Sequence, residues 1–158
     1  MITRTSFFVK YSEIDQMGIV HHTYYPKWFE VGRIDYLQKV GIPHSFINNQ
    51  GFYLPLSQIE CKYKSPAKFG DEILVITSIS FISCVKVKFN YKVLNKKSGK
   101  LLVLGNTIHA WTDRAIKPLN IAIAAPHIYK QLRTSSESTD IRNSNLFGVK
   151  SYDKSGTL

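Results

Sequence analysis

Asp15 is the residue best placed to do chemistry in this sequence. It follows a strand-like run that ends at Tyr11, Gly18 supplies turn chemistry after it, and a helical pattern begins near His22. The start of a helix offers unpaired backbone N–H groups and partial positive charge, so a polarised carbonyl oxygen can rest there while a carboxylate acts on its carbon. The alternative is an ordinary turn or capping Asp. A tight turn at Gly18 would bring Tyr11 and His22 towards Asp15.

The sequence does not contain the residue patterns that other kinds of catalytic site require. His21 and His22 are adjacent, so their rings point apart on a helix, and His44 lies in a predicted loop, which leaves no metal-ligand spacing. The G-x-S-x-G motif of serine hydrolases and a phosphate-binding Gly-rich loop are both missing from the sequence. His21 and His22 also fit as plain surface residues. Carboxylate chemistry on an activated acyl group, without metal or cofactor, is the simplest hypothesis.

The elements that must position Asp15 are a strand and a long helix. Residues 5–11 have strand composition, and the helix is predicted from about His22 to Val40, with Pro26 in or near the first turn and Gly41 as its stop. The apolar sector is wide, which indicates a sheet curling around a central helix. It comprises Tyr25, Trp28, Phe29, Gly32, Tyr36, Leu37 and Val40. The polar positions Lys27, Glu30, Arg33 and Gln38 are expected on the outer stripe or a subunit interface.

Strands follow the helix in quick succession. Residues 42–53 look like a connection, and strands are predicted over residues 54–64, 72–82, 85–93 and 101–112. Residues 85–93 alternate apolar and polar side chains at every step, which is typical of a half-buried strand. The order of one strand, a long helix and four antiparallel strands predicts an α+β domain whose sheet wraps its helix.

The C-terminal part differs in composition. A short closing helix is predicted over residues 126–133, which ends a single domain of residues 1–133. Residues 134–158 are rich in Ser, Thr, Asn, Asp and Lys, so this extension is expected to be partly disordered.

Composition bounds the function. The 158 residues suit one domain, and the net charge of +10 favours an anionic partner, although no nucleic-acid-binding motif is visible. No apolar run reaches 18 residues, and no N-terminal signal pattern precedes the first strand, so we expect no membrane span and a cytoplasmic location. Cys61 and Cys84 lie in apolar strand-like runs, where free Cys behaves as a small hydrophobe.

Two segments carry a resemblance. The first reads Tyr11-x-x-x-Asp15-x-Met17-Gly18-Ile19-Val20-His21-His22-x-x-Tyr25-x-x-Trp28-Phe29-Glu30-x-x-Arg33, and the second is residues 63–72, Tyr-Lys-Ser-Pro-Ala-Lys-Phe-Gly-Asp-Glu. Together with the element order they resemble the 4-hydroxybenzoyl-CoA thioesterase family of hot-dog proteins, over roughly residues 4–133.

This resemblance implies a helix wrapped by a sheet, dimers or tetramers, and hydrolysis of an acyl-CoA thioester. It places the family's acidic residue on Asp15, as nucleophile or as general base on water, and the oxyanion donor on a backbone N–H near His22 and Thr23. Tyr11 would orient Asp15, and His22 would hold the thioester or water.

The resemblance also implies a substrate site. Tyr25, Trp28 and Phe29 would line the acyl pocket, and Lys64 would bind coenzyme A phosphates. The acyl group stays open between aryl and fatty chains. A thioester of an acyl carrier protein, a non-catalytic acyl- or CoA-binding module and a hot-dog dehydratase are the alternatives, and the first motif speaks against the dehydratase.

Overall fold

Five strands form one antiparallel sheet in the order β1-β3-β4-β5-β2. The computed structural model describes residues 1–140, with side chains up to residue 137. In chain order the elements are β1 (Ile2–Phe8), a short 3-10 helix (Tyr11–Glu13), α1 (Tyr24–Val40), α2 (His44–Asn49), β2 (Leu56–Tyr63), β3 (Glu72–Ile82), β4 (Lys86–Asn95), β5 (Leu101–Ala110), α3 (Ile121–Ala124) and α4 (Pro126–Asp140). The predicted α+β class and antiparallel strands are confirmed.

The 17-residue helix α1 packs on one face of the sheet. The ring of Phe29 stacks on Tyr91 of β4 with 4.6 Å between centroids. Gly32 faces β3 so closely that a Cβ there would lie 2.5 Å from the hydroxyl of Thr77, which lets helix and sheet approach. The helix ends where the sequence predicts, because Gly41 adopts the left-handed conformation with φ of 86°. These contacts support a central helix, while its full enclosure by the sheet stays a prediction.

Four local predictions need correction. The helix α1 begins at Tyr24 rather than His22, and the predicted connection contains helix α2. Arg33 is buried instead of lying on an outer polar stripe, because it faces strands β2 and β5, and its predicted alternative place at a subunit interface stays a prediction. The closing helix α4 runs to Asp140 rather than ending at residue 133, and Ser135 within it accepts a hydrogen bond from the hydroxyl of Tyr36 at 3.0 Å.

Other predictions concern the chain as a whole. No helix within residues 1–140 has the length and apolar composition of a membrane crossing, and a cytoplasmic location stays a prediction. Cys61 and Cys84 are free thiols, as expected, and burial raises the pKa of Cys61. The domain boundary at residue 133 stays a prediction, and most of the predicted extension lies outside the described residues.

Candidate active site

A small hairpin holds Asp15. After the 3-10 helix, Ile14 pairs with Val20, the N–H of Asp15 donates to the carbonyl of Ile19 at 2.9 Å, and the N–H of Gly18 donates to the carbonyl of Asp15 at 3.0 Å. Gly18 has a φ of 76°, a conformation that L-residues resist, so the tight turn depends on glycine there. The chain therefore reverses at Asp15 and returns towards the start of α1.

The carboxylate of Asp15 is half-buried and held by its own turn. Its Oδ1 accepts a hydrogen bond from the backbone N–H of Met17 at 2.8 Å. Within the described residues, Oδ2 accepts none. One oxygen is thus fixed, which orients the group, and the other is available to a water molecule or an acyl carbon.

Two side chains of helix α1 contact the 3-10 helix that precedes this hairpin, and one backbone hydrogen bond from His21 extends the hairpin. The indole Nε1 of Trp28 donates to Oε1 of Glu13 at 3.0 Å, and the N–H of His21 donates to the carbonyl of Glu13 at 2.9 Å. The hydroxyl of Tyr24 donates to the carbonyl of Ser12 at 3.0 Å. The 3-10 helix next to the Asp15 hairpin is therefore bound to the first two turns of α1.

The end of strand β2 closes the other side. The hydroxyl of Tyr63 donates to the carbonyl of His22 at 3.1 Å, and its ring meets Tyr25 edge-on with 5.4 Å between centroids. The N–H of Ala67 donates to the hydroxyl of Tyr25 at 3.2 Å. Partial burial is the main reason that the pKa of Tyr63 rises to about 12, and burial also raises the pKa of Tyr25. Both phenols therefore remain protonated at neutral pH.

Backbone donors are available at the start of α1. In the part of the chain that the structure describes, the N–H of His22 reaches no acceptor, and the N–H of Thr23 makes only a long 3.4 Å contact with Nδ1 of His21. The hydroxyl of Thr23 instead contacts Nδ1 of His21 at 2.8 Å, so it does not cap the helix. Unpaired N–H groups at a helix start attract anions.

A cavity of about 350 Å³ opens at this point. It collects residues from the hairpin, the start of α1 and the segment that follows β2. They are Asp15, Met17, Ile19, Val20, His22, Tyr25, Tyr63, Lys64, Ser65 and Pro66. The structure thus brings together four of the predicted site residues: Asp15, His22, Tyr25 and Lys64.

Three predicted site residues lie elsewhere. Tyr11 is 77% exposed, and its ring contacts Phe69 at 5.7 Å between centroids rather than lining the cavity. Trp28 and Phe29 are buried in the core, with Trp28 bound to Glu13. The structure therefore does not bring these three side chains to the cavity.

The sequence patterns do not identify Tyr63 as a site residue, although it begins the second segment of the resemblance. Helical and strand periodicity place Tyr63 at a strand end but do not show that its hydroxyl reaches the backbone of His22, because that pairing spans 41 residues of chain.

A larger cavity of about 670 Å³ lies near the C-terminal end of α1, between Lys39, Val40 and helix α4. No carboxylate among the described residues lines it, so it lacks the group on which the predicted chemistry depends. The described residues also contain no group of three His, Cys, Asp or Glu side chains arranged to hold a metal ion.

The arrangement suits acyl transfer to water. It combines a carboxylate with a free oxygen, backbone donors at a helix start, and an apolar cavity wall. A carbonyl oxygen placed on the donors would become more negative as its carbon is attacked, and the donors would stabilise that charge.

Comparison with known proteins finds similarity to thioesterase-like proteins. The family model described as "Thioesterase-like superfamily" matches residues 9–135. The "Putative acyl-CoA thioesterase YneP" of Bacillus subtilis (strain 168) is 31% identical over 79% of this chain and 91% of its own length. The chloroplastic acyl-acyl carrier protein thioesterase ATL3 of Arabidopsis thaliana is 27% identical over 69% of this chain and 57% of its length.

A solved structure agrees with these relatives. The DHNA-CoA thioesterase of Staphylococcus aureus superposes with a TM-score of 0.80 and 26% identity, over 87% of this chain and 94% of that one.

Proposed function

The chain belongs to the thioesterase-like superfamily, and we propose that it hydrolyses acyl-CoA thioesters with Asp15 as its catalytic carboxylate. Its fold is that of hot-dog thioesterases, and the chain is a thioester hydrolase. The narrower resemblance to 4-hydroxybenzoyl-CoA thioesterases is part of the proposal. The observation that carries it is the meeting of Asp15 and His22 in one cavity at the start of α1.

The proposed reaction begins with the thioester carbonyl oxygen at the backbone N–H of His22. In one route Oδ2 of Asp15 attacks the carbonyl carbon, the C–S bond breaks, the thiolate takes up a proton, and water hydrolyses the resulting anhydride. In the other route Asp15 removes a proton from water as the water oxygen attacks that carbon, and the C–S bond breaks to release the thiol. Both routes give the free acid and CoA.

Hydrolysis in ¹⁸O water distinguishes the two routes when water attacks the aspartyl carbonyl of the anhydride. The anhydride route places the label in the Asp15 carboxylate when water attacks the aspartyl carbonyl, or in the acid when water attacks the acyl carbonyl. The general-base route never labels Asp15. Mass spectrometry of the peptide containing Asp15, after repeated turnovers, therefore detects the first of these outcomes.

The other predicted site residues have assigned roles in this proposal. His22 holds the thioester or the water, and Tyr25 contributes to the cavity wall with its hydroxyl engaged by Ala67. Lys64 lies at the cavity and is the proposed contact for CoA phosphates. The predicted orienting role of Tyr11 and the substrate contacts of Trp28 and Phe29 remain proposals. Within this chain the N–H of Met17 holds Oδ1 of Asp15, and Trp28 donates to Glu13.

We propose self-association through strand β2. It is an edge strand of the five-stranded sheet, and its side chains Leu56, Ile59 and Tyr63 are exposed apolar groups. An exposed apolar edge is a template for pairing with another strand. Light scattering should therefore give a mass of two or four chains.

The acyl carrier protein remains the second candidate for the group that delivers the acyl chain. The similarity to ATL3 favours it, as does the net charge of +10, which suits an acidic carrier. Thiol release from one acyl group on CoA and on the carrier protein compares the two. Higher kcat/KM on CoA supports the main proposal, and a preference for the carrier reverses it. Tight binding with no turnover would instead favour a non-catalytic module.

A further inference from the structure

Besides the cavity at Asp15, a second cavity of about 230 Å³ lies farther along helix α1 and strand β2. It is lined by Pro26, Lys27, Glu30, Arg33, Leu56, Ile59, Tyr91, Thr107 and His109. Pro26, Glu30 and Arg33 follow at spacings of four and three, so they form one stripe of α1, which begins two residues after His22. The two cavities therefore lie in sequence between α1 and β2.

Arg33 is the unusual group in this second cavity. The residue is 7% exposed, and its Nη2 contacts Oε1 of Glu30 at 3.3 Å. Its Nη1 is buried and has no hydrogen-bond partner within residues 1–137. The side chain of Glu30 is 61% exposed, so solvent screens this ion pair and it compensates the buried guanidinium only weakly. A buried cation with a spare donor favours an acceptor that residues 1–137 do not supply.

The neighbouring polar groups are already paired with one another. The carbonyl of Leu54 accepts from Nδ1 of His109 at 2.9 Å, so the proton lies on Nδ1 and Nε2 accepts from the hydroxyl of Thr107 at 3.0 Å. Thr107 in turn accepts from the hydroxyl of Tyr91 at 2.8 Å. Burial, and next the charge of Arg33, lower the pKa of His109 to about 4, so this chain of bonds is neutral at pH 7. None of these groups accepts from Nη1 of Arg33.

The geometry points to this cavity as the subsite for the far end of the acyl group, which carries a carboxylate that binds Arg33. This inference rests on the proposed function, because it needs the thioester at His22. Tyr24, which follows His22 by two residues and begins α1, and Arg33 are separated by about 14 Å along the helix axis, and helical side chains lean towards the N-terminus, which shortens the gap. Leu56 and Ile59 supply apolar surface for the methylene groups between the two ends.

Charge at the subsite favours an anion. Lys27 and Arg33 carry two positive charges against the one negative charge of Glu30, and His109 is neutral. A guanidinium can donate two parallel hydrogen bonds to a carboxylate, which makes Arg a selective partner for this group. A methyl-ended acyl chain would offer the guanidinium no acceptor.

A matched pair of substrates tests the subsite. Suberoyl-CoA and octanoyl-CoA have acyl chains of the same length and differ in the terminal carboxylate. We expect wild-type kcat/KM to be about tenfold or more higher for suberoyl-CoA, because a site built to bind a polar group discriminates against the analogue that lacks it. Arg33→Gln should remove this preference, because kcat/KM should fall about tenfold or more further for suberoyl-CoA than for octanoyl-CoA. Lys39→Gln, which removes one charge from the same helix outside the cavity, should leave the preference intact.

Binding without turnover supplies a second measurement. Calorimetry should show that the wild type binds suberate more tightly than octanoate, that Arg33→Gln removes the difference, and that Arg33→Lys retains part of it if Arg33→Gln fails to fold. Equal binding of the two acids, or equal kcat/KM on the two esters, overturns the inference.

An equal loss on both esters in Arg33→Gln, accompanied by a smaller mass in light scattering, would also overturn it, because Arg33 would then bind a second copy of the chain. Arg33-dependent binding of suberate with no hydrolysis of any ester would support the subsite and reject the proposed function.

Discussion

The hydrogen bond between Trp28 and Glu13 should matter for both stability and activity. Trp28→Phe removes the indole N–H that binds Oε1 of Glu13 at 3.0 Å. A hydrogen bond to a charged group contributes about 1.5–3 kcal/mol, and the partial exposure of Glu13 favours the low end of that range. The free energy of unfolding should fall by about 1.5 kcal/mol beyond the packing loss, which lowers Tm by about 3–6 °C in a domain of this size.

Trp111→Phe is the matched control. Trp111 is fully buried like Trp28, but its Nε1 has no partner within the described residues. The same substitution there removes similar volume without removing a hydrogen bond. Thermal and urea unfolding of both variants therefore isolate the contribution of the Glu13 contact.

Activity is the decisive comparison between the two Trp variants. In Trp28→Phe, kcat/KM should fall by about tenfold or more, because the hairpin of Asp15 is no longer fixed to the start of α1 and small displacements are costly in catalysis. Trp111→Phe should keep its activity when assayed well below its Tm. Equal losses of stability and activity in both variants would refute the reasoning.

Three further predictions concern single groups. Gly32→Ala should lower the free energy of unfolding by up to about 2 kcal/mol in urea, because the new Cβ would lie 2.5 Å from the hydroxyl of Thr77 and overpacking outweighs the helix propensity gained. Tyr63→Phe should lower kcat/KM about tenfold, with less than about 1.5 kcal/mol lost in stability, because it releases the carbonyl of His22; unchanged kinetics would count against that contact. Burial lowers the pKa of His109 to about 4, so the unfolded chain takes up this proton first, and the free energy of unfolding should fall by up to about 3 kcal/mol as pH drops from about 6.5 to 4. His109→Gln should flatten that part of a pH series of urea unfolding curves.

Much of the fold could be predicted because local pattern and burial agree. The alternation over residues 85–93 reappears in β4 as buried Val87, Phe89, Tyr91 and Val93 between more exposed neighbours. The end of α1 at Gly41 follows from the backbone freedom of glycine, which acts within one turn of chain. Such signals need no knowledge of distant residues.

Arg33 shows where the sequence pattern fails to predict burial. Charge alone assigns it to an outer stripe, but the position is buried because β2 and β5 pack against that side of α1. These strands arrive from residues 56–63 and 101–110, far along the chain. The cost of burying a guanidinium is invisible in a sequence until its surroundings are known.

The candidate site was predicted in the same uneven way. Asp15 and His22 could be placed together because Gly18 allows a tight turn, and both line the cavity. Trp28 was predicted as a substrate contact from its aromatic character. Its indole N–H instead binds Glu13, a polar contact that aromatic spacing along a helix does not indicate.

Hydrolysis by the wild type and by Asp15→Asn, measured side by side, tests the central claim most directly. The substitution keeps the size of the side chain and an oxygen that can accept from the N–H of Met17, while it removes the negative charge. Release of thiol from a panel of acyl-CoA esters should fall by about a hundredfold or more, with Tm within a few degrees of the wild type. Thiol release at the wild-type rate by folded Asp15→Asn would contradict the account.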